Sequence, residues 1–209
     1  MSETPYEVIR LKGAAISSVF DELAALRIAV FRAYPYLYEG NVPYEKEYLR
    51  IYSQSERSFL AAVYHQGTLV GATTCLPLAE ETEELRKPFL ENGFDPTRIF
   101  YFGESIILKE HRGQGFGHLF FDERESHARS FGTYTHTCFC SVDRGTSHPL
   151  QPADYRTNDP FWIKRGYQPM YALQTTMEWP DIGENHSTAK PMVFWMKELA
   201  MEVPPAREM

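Results

Sequence analysis

The chain has 209 residues, is 43% hydrophobic and 14% aromatic, and carries a formal net charge of −7. That length and apolar content fit one domain, spanning 1–209, with a full core. The acidic balance disfavours nonspecific binding to nucleic acid or to an anionic membrane, which needs a basic surface, and permits a cationic substrate such as an amine. Met1-Ser2-Glu3-Thr4-Pro5 is polar and acidic, without a signal-peptide pattern, and no apolar run is long enough to span a bilayer. The three cysteines are Cys75, Cys138 and Cys140. An odd count without secretory features points to a reducing cytoplasm. Cys138 and Cys140 lie two apart in a strand-like run and therefore share a face. A lone C-x-C makes a poor zinc site, so both read as core or pocket-lining thiols.

Tyr6 to Leu11 reads as a first strand. Ile16, Val19, Phe20, Leu23, Leu26, Val30 and Phe31 recur at helical spacing, with Ser17 or Ser18 as N-cap and an end near Tyr34 imposed by Pro35. Tyr34, Tyr36 and Tyr38 crowd the following loop, where they either line a pocket or pack the loop onto the sheet edge. Tyr44 to Tyr52 reads as a second helix. Ser58 to Tyr64 and Thr68 to Leu76 read as a hairpin around His65-Gln66-Gly67. Glu80 to Asn92 is a charged helix stopped by Gly93. Ile99 to Leu108 is a strand interrupted by Gly103, which marks a bulge or the close approach of a ligand.

Arg112-Gly113-Gln114-Gly115-Phe116-Gly117 then forms a turn that opens a helix running from Gly117 to Phe131. A glycine-rich turn at a helix start exposes unpaired backbone N–H groups at the positive end of the helix dipole, which suits a phosphate. No Lys-Ser or Lys-Thr closes the turn, and its order is G-x-G-x-G, so neither the triphosphate loop nor the dinucleotide fingerprint fits. Tyr134 to Val142 is another strand. The long polar loop from Asp143 to Asn158 carries His148 and Tyr155. Asp159 to Arg165 is a short helix, and Met170 to Trp179 and Pro191 to Leu199 are closing strands. Val203 to Met209 reads as a loose tail.

Arg112-x-x-Gly115-x-Gly117, led in by Ile106-Ile107-Leu108-Lys109-Glu110-His111, resembles the pyrophosphate loop of the GNAT (Gcn5-related) N-acetyltransferases. The element order resembles the same superfamily along nearly the whole chain, and Phe161-Trp162-Ile163-Lys164-Arg165-Gly166-Tyr167 resembles its late helix element. Tyr34 to Tyr38 with Asn158 to Trp162 looks like an uncharacterised bacterial branch. The resemblance implies an α/β (α+β) fold with a central mixed, mostly antiparallel sheet flanked by helices. It implies acetyl-CoA as co-substrate and direct transfer to a primary amine of a small molecule. The amides of Gly113, Gln114, Gly115, Phe116 and Gly117, with Arg112, would hold the pyrophosphate. The strand edge at Ile106, Ile107 and Leu108 would pair with the pantetheine arm, and the Ile107 N–H would face the developing oxyanion.

Glu104 matches a position where many members of the superfamily carry the general base; otherwise it is a surface or salt-bridged glutamate. The usual acid is a tyrosine at the position of Trp162. With an indole there, Tyr155, Tyr167, His148 or water must serve, and Trp162 packs the core or walls the CoA cleft. The tyrosine loop (Tyr34, Tyr36, Tyr38) and His148 would form the acceptor pocket. The histidines are scattered and no G-x-S-x-G elbow exists, so no metal and no hydrolase chemistry is expected. Two rival readings stand beside this one: a CoA-binding sensor without turnover, supported by Trp162, and acetylation of a protein or peptide amine. Edge strands near the C-terminus would allow a homodimer.

Overall fold

The computed structural model describes residues 5–200. The expectations for the extreme N-terminus and for the tail from Val203 lie outside the described residues. The elements follow the expected order: β1 (Glu7–Lys12), a 3₁₀ segment (Gly13–Val19), α1 (Phe20–Phe31), α2 (Val42–Gln54), β2 (Phe59–His65), β3 (Thr68–Pro77), α3 (Glu83–Glu91), β4 (Ile99–Ile107), α4 (Phe116–Arg129), β5 (His136–Val142), α5 (Asp159–Lys164), β6 (Gln168–Trp179) and β7 (Thr188–Glu198). No helix among the described residues is long and apolar enough to cross a membrane.

Local chemistry explains most boundaries. Contrary to the expectation from sequence, neither Ser17 nor Ser18 caps α1; their hydroxyls donate back to the carbonyls of Ala14 and Ala15 and hold the tighter 3₁₀ turn instead. α1 accordingly starts at Phe20 and ends at Phe31. α2 is capped by Asn41, whose side chain accepts from the Tyr44 N–H at 3.0 Å, with proline in the first turn.

The strands form one seven-stranded sheet in the order β1-β2-β3-β4-β5-β7-β6. Every pairing is antiparallel except β4 with β5. This is the mixed, mostly antiparallel α/β arrangement expected. Alternating side chains feed two cores. Leu60, Ala62, Leu76, Ile99, Tyr101 and Phe194 pack under α1, α2 and α3; Phe59, Ala61, Phe100, Phe102, Phe139 and Trp195 pack under α4 and α5.

Two irregularities of β4 position the site. First, two residues of β4, Gly103 and Glu104, oppose one of β3, Thr74: Thr73 pairs with Ser105, and Cys75 pairs with Phe102. The extra residue resets the alternation, so Tyr101 and Glu104 both face α1 and α2 while Phe102 faces α4. The Glu104 carbonyl at the bulge accepts from Thr73 Oγ1 at 2.7 Å and from Arg124 Nη1 at 3.4 Å. Gly103 lines the cavity described below and packs against Tyr52 of α2. A Cβ at this position would overlap the Tyr52 hydroxyl and lie 2.7 Å from Thr74 Oγ1. Gly103→Ala is therefore expected to destabilise the fold by about 1–3 kcal/mol through overpacking. Tyr52→Phe, which removes a hydroxyl that has no hydrogen-bond partner among the described residues, should recover part of the loss. Urea unfolding midpoints of the single and double variants check this; equal midpoints for Gly103→Ala and wild type would refute it.

Second, β4 pairs with β5 only from Ile99 to Tyr101, against His136 to Cys138. Beyond that the strands part, and the β5-facing edge of β4 has no strand partner among the described residues. Parallel strands that separate in mid-sheet leave backbone donors and acceptors exposed in a cleft.

Candidate active site

The cleft runs along the free edge of β4 to the glycine-rich turn. Leu108 N–H donates to Val70 O at 2.9 Å, toward β3. Strand alternation then sends the Ile107 N–H and carbonyl the other way, into the cleft. The Ile107 carbonyl accepts there from Arg112 Nε at 3.4 Å, so the exposed Arg112 folds back over the strand end. The chain continues through the turn Lys109–His111 to Gly115, which adopts φ +85° immediately before α4. A non-glycine residue is strained at that angle. Apart from the adjoining residues, no atom of the described residues lies within 4 Å of where a Cβ would stand on Gly113 or Gly115, so the turn lies open. The helix start has no side-chain cap, and the amides of Gly113, Gln114, Gly115, Phe116 and Gly117 make no hydrogen bond among the described residues. Five uncommitted donors stand at the positive end of a 14-residue helix, an arrangement that suits an anion. Gly117 serves packing: a Cβ there would lie 3.3 Å from the Phe161 ring on α5.

At the other end of the cleft lies a cavity of about 90 Å³ beside Glu104. Arg27 of α1 sits between two carboxylates, its Nη1 on Glu104 Oε2 and its Nε on Glu45 Oε2 of α2. Glu45 is fully buried and Glu104 is 3% exposed. The second oxygen of each, Glu45 Oε1 and Glu104 Oε1, has no hydrogen-bond partner among the described residues. Burial pushes the Glu104 carboxyl above the usual carboxylate range, opposed chiefly by Arg27. The same two forces act in opposite directions on Arg27, which stays charged. Its guanidinium lies 4.4 Å from the Tyr48 ring centroid and 5.1 Å from that of Phe31. Tyr36, Tyr38, Tyr44, Tyr101 and Trp179 complete the aromatic wall.

Of the tyrosine loop, Tyr36 and Tyr38 line this cavity and Tyr34 does not. Arg144 pins the loop by donating to Pro35 O and Tyr36 O while pairing with Asp181. Tyr34 donates to Gln151 and packs against Tyr155, with ring centroids 4.6 Å apart, and against His148 at 5.7 Å. Tyr34 on the tyrosine loop and His148 and Tyr155 on the long polar loop thus form a cluster of their own, outside the lining of the cavity beside Glu104. Tyr167, named from sequence as a candidate acid, lies elsewhere. It is completely buried on the α4 side of the sheet, bonded to Thr137 and to Glu125, and burial raises its phenol. The bulge that turned Glu104 toward α1 leaves Tyr167 on the opposite face. Trp162 packs edge-on against Phe139 and Trp195, both at 5.0 Å, in the α4-side core. Its neighbour Phe161 is the residue that meets the helix start.

Arg27, Glu45, Tyr48 and Tyr101 were not singled out from sequence. Signals existed for two of them. Arg27 falls between Leu23 and Phe31 at four-residue steps, and Glu45 precedes Leu49 and Tyr52 on the apolar stripe of α2. A charged residue on such a stripe needs a buried partner. Cys140 also lines the cavity, its Sγ 3.1 Å from the Tyr101 hydroxyl; burial pushes its thiol up to about 12, so it stays protonated.

No family model matches the chain, and no curated protein is significantly similar to it in sequence. Solved structures are similar in fold. An acetyltransferase of the GNAT family from Streptococcus pneumoniae superposes with a TM-score of 0.55 at 12% identity, covering 94% of this chain and 100% of its own. An N-acetyltransferase from Staphylococcus aureus gives 0.56 at 11% identity, with 94% and 99% coverage. The ribosomal-protein-alanine N-acetyltransferase from Brucella melitensis gives 0.56 at 12% identity, with 92% and 99% coverage.

Proposed function

We propose that this chain, which has the fold of the GNAT acetyltransferases, is an N-acetyltransferase that moves an acetyl group from acetyl-CoA to a primary amine of a small molecule. One observation carries the reading: the uncommitted amides from Gly113 to Gly117 stand at the end of an unpaired strand edge that leads back to Glu104. The cup has the donors and the positive dipole for a diphosphate. The free edge of β4 offers the Ile107 N–H and carbonyl to an extended chain of amides.

Glu104 then acts as general base. It takes the proton from the acceptor ammonium, the neutral amine attacks the thioester carbon, the new C–N bond forms, the C–S bond breaks, and the attacking nitrogen gives up its second proton to water. The Ile107 N–H stabilises the developing oxyanion, and holding both reactants in the cleft supplies much of the acceleration. The departing thiolate takes its proton from Tyr155 or water. Tyr155 is partly buried and its phenol is raised by that burial, so it holds its proton at neutral pH. The buried free thiols support a cytoplasmic setting. The free edge of β6 is where a second copy would pair.

Calorimetry with CoA, followed by thiol release from acetyl-CoA with an amine panel, tests the reading. Wild type should bind CoA, and Gly115→Val should weaken binding about tenfold or more, because backbone strain on the order of 1–3 kcal/mol disturbs the cup. Wild type without CoA affinity, or a Gly115→Val variant that binds as wild type does, would sink it. CoA binding without turnover on any amine favours a sensor of the same fold, a reading to which the indole of Trp162 and the ion pair on Glu104 lend support.

A further inference from the structure

We infer that the acceptor is a short primary amine that carries no carboxylate: an alkyl- or arylalkylamine, and not a free amino acid. The inference rests on the acetyl-transfer reading and names the substrate class of the same site.

Charge carries the first part of the argument. The cavity beside Glu104 is lined by three carboxylates, Glu45, Glu104 and Glu178, and by one cation, Arg27. Arg27 is already shared between Glu45 and Glu104. The nearby cations are engaged as well. Arg144 holds Asp181, Pro35 O and Tyr36 O, and Lys190 donates to Trp179 O and Thr188 O beside Asp181. A carboxylate entering this cavity would find no free positive partner among the described residues and would lose its water. An ammonium finds the opposite. Glu104 Oε1 and Glu45 Oε1 are buried acceptors without a partner among the described residues, and both residues line the cavity. A buried unpaired carboxylate oxygen is costly, so a group that donates to it gains more than the bond alone. The faces of Tyr36, Tyr48 and Trp179 add attraction for a cation.

Size carries the second part. A buried water needs about 10–15 Å³ of such space, so a cavity of about 90 Å³ holds on the order of six to nine positions. That admits a short amine with an apolar or aromatic body. Two backbone bonds fix the wall: Glu39 N–H donates to Pro180 O at 2.9 Å and Ile182 N–H donates to Leu37 O at 2.7 Å, tying the tyrosine loop to the β6–β7 turn.

Matched pairs that differ by one carboxylate test the inference: 2-phenylethylamine against phenylalanine, and isopentylamine against leucine. Each is titrated by calorimetry into the CoA-loaded full-length protein and assayed for acetyl transfer. The amine of each pair should bind at least about tenfold more tightly and show a correspondingly higher kcat/KM, since rejection here comes from an unpaired charge. Equal or better binding of the amino acid overturns the inference. So does CoA binding accompanied by no affinity for either amine. Absence of CoA binding marks failure of the acetyl-transfer reading itself, which the CoA titration reports separately.

Discussion

Glu104→Gln is expected to lower kcat about 10²–10⁴-fold, the usual contribution of a positioned general base, while CoA affinity stays unchanged. The amide keeps the shape and still accepts from Arg27, so the cleft and the distant cup are preserved, but it cannot take a proton. The pH profile gives the sharper readout. Only ionised Glu104 accepts the proton, so activity falls as pH drops through its pKa. Burial places that value above the ordinary carboxylate range. Wild type should therefore show an acidic limb in kcat/KM with a midpoint higher than a free glutamate gives, and the glutamine variant should lack the limb. A variant that retains both the rate and the limb would remove Glu104 from the chemistry.

Arg27→Met is expected to cost about 3–5 kcal/mol of stability, the penalty for removing one partner from a buried ionic cluster. Arg27 stands between Glu45 and Glu104, both almost fully enclosed, and is the cation each of them touches. Without it two carboxylates share one desolvated site. The pH dependence has a definite sign. Arg27 lowers the Glu104 pKa, so its removal raises the folded-state value further above that of the unfolded chain. A raised carboxylate favours the folded state at low pH, and that contribution is lost as pH rises through the folded pKa. The variant should be closest to wild type near pH 5 and furthest below it near pH 8. Arg27→Met with Glu45→Gln should recover part of the loss, because one of the competing charges is gone. Urea unfolding at the two pH values checks this; a deficit independent of pH would show that Arg27 contributes packing on Tyr48 and Phe31 and not charge.

These two expectations involve residues of unequal visibility in the sequence. Glu104 was legible because it follows Gly103 in an apolar strand just ahead of the glycine-rich turn. The glycine-rich turn was legible for a related reason. Its parts are contiguous, from Arg112 to Gly117, and glycines at a strand-to-helix junction permit a tight turn ahead of helix amides that have no intrahelical partner. The order of strands and helices was likewise written in local periodicity and punctuation, with differences confined to ends such as the 3₁₀ turn held by Ser17 and Ser18.

Partnership across the sheet could not be read this way. Tyr34, Tyr36 and Tyr38 look equivalent in a five-residue loop, yet only the last two reach the cavity, because Arg144 and Asp181 fix the loop from more than a hundred residues away. Tyr167 is as plausible an acid as Tyr155 on paper, and it lies sealed under α4. Which face a strand residue occupies depends on every residue before it, and one extra residue at Gly103 reverses the outcome for Glu104 relative to Phe102. Sequence alone determined the elements, their order and the open glycine-rich turn, since those obey rules acting over a few neighbouring residues. Tertiary structure decided the Glu45–Arg27–Glu104 cluster, the aromatic wall and the separation of Tyr155 from Tyr167, since burial and strand register arise only when α1, α2 and the bulged β4 meet.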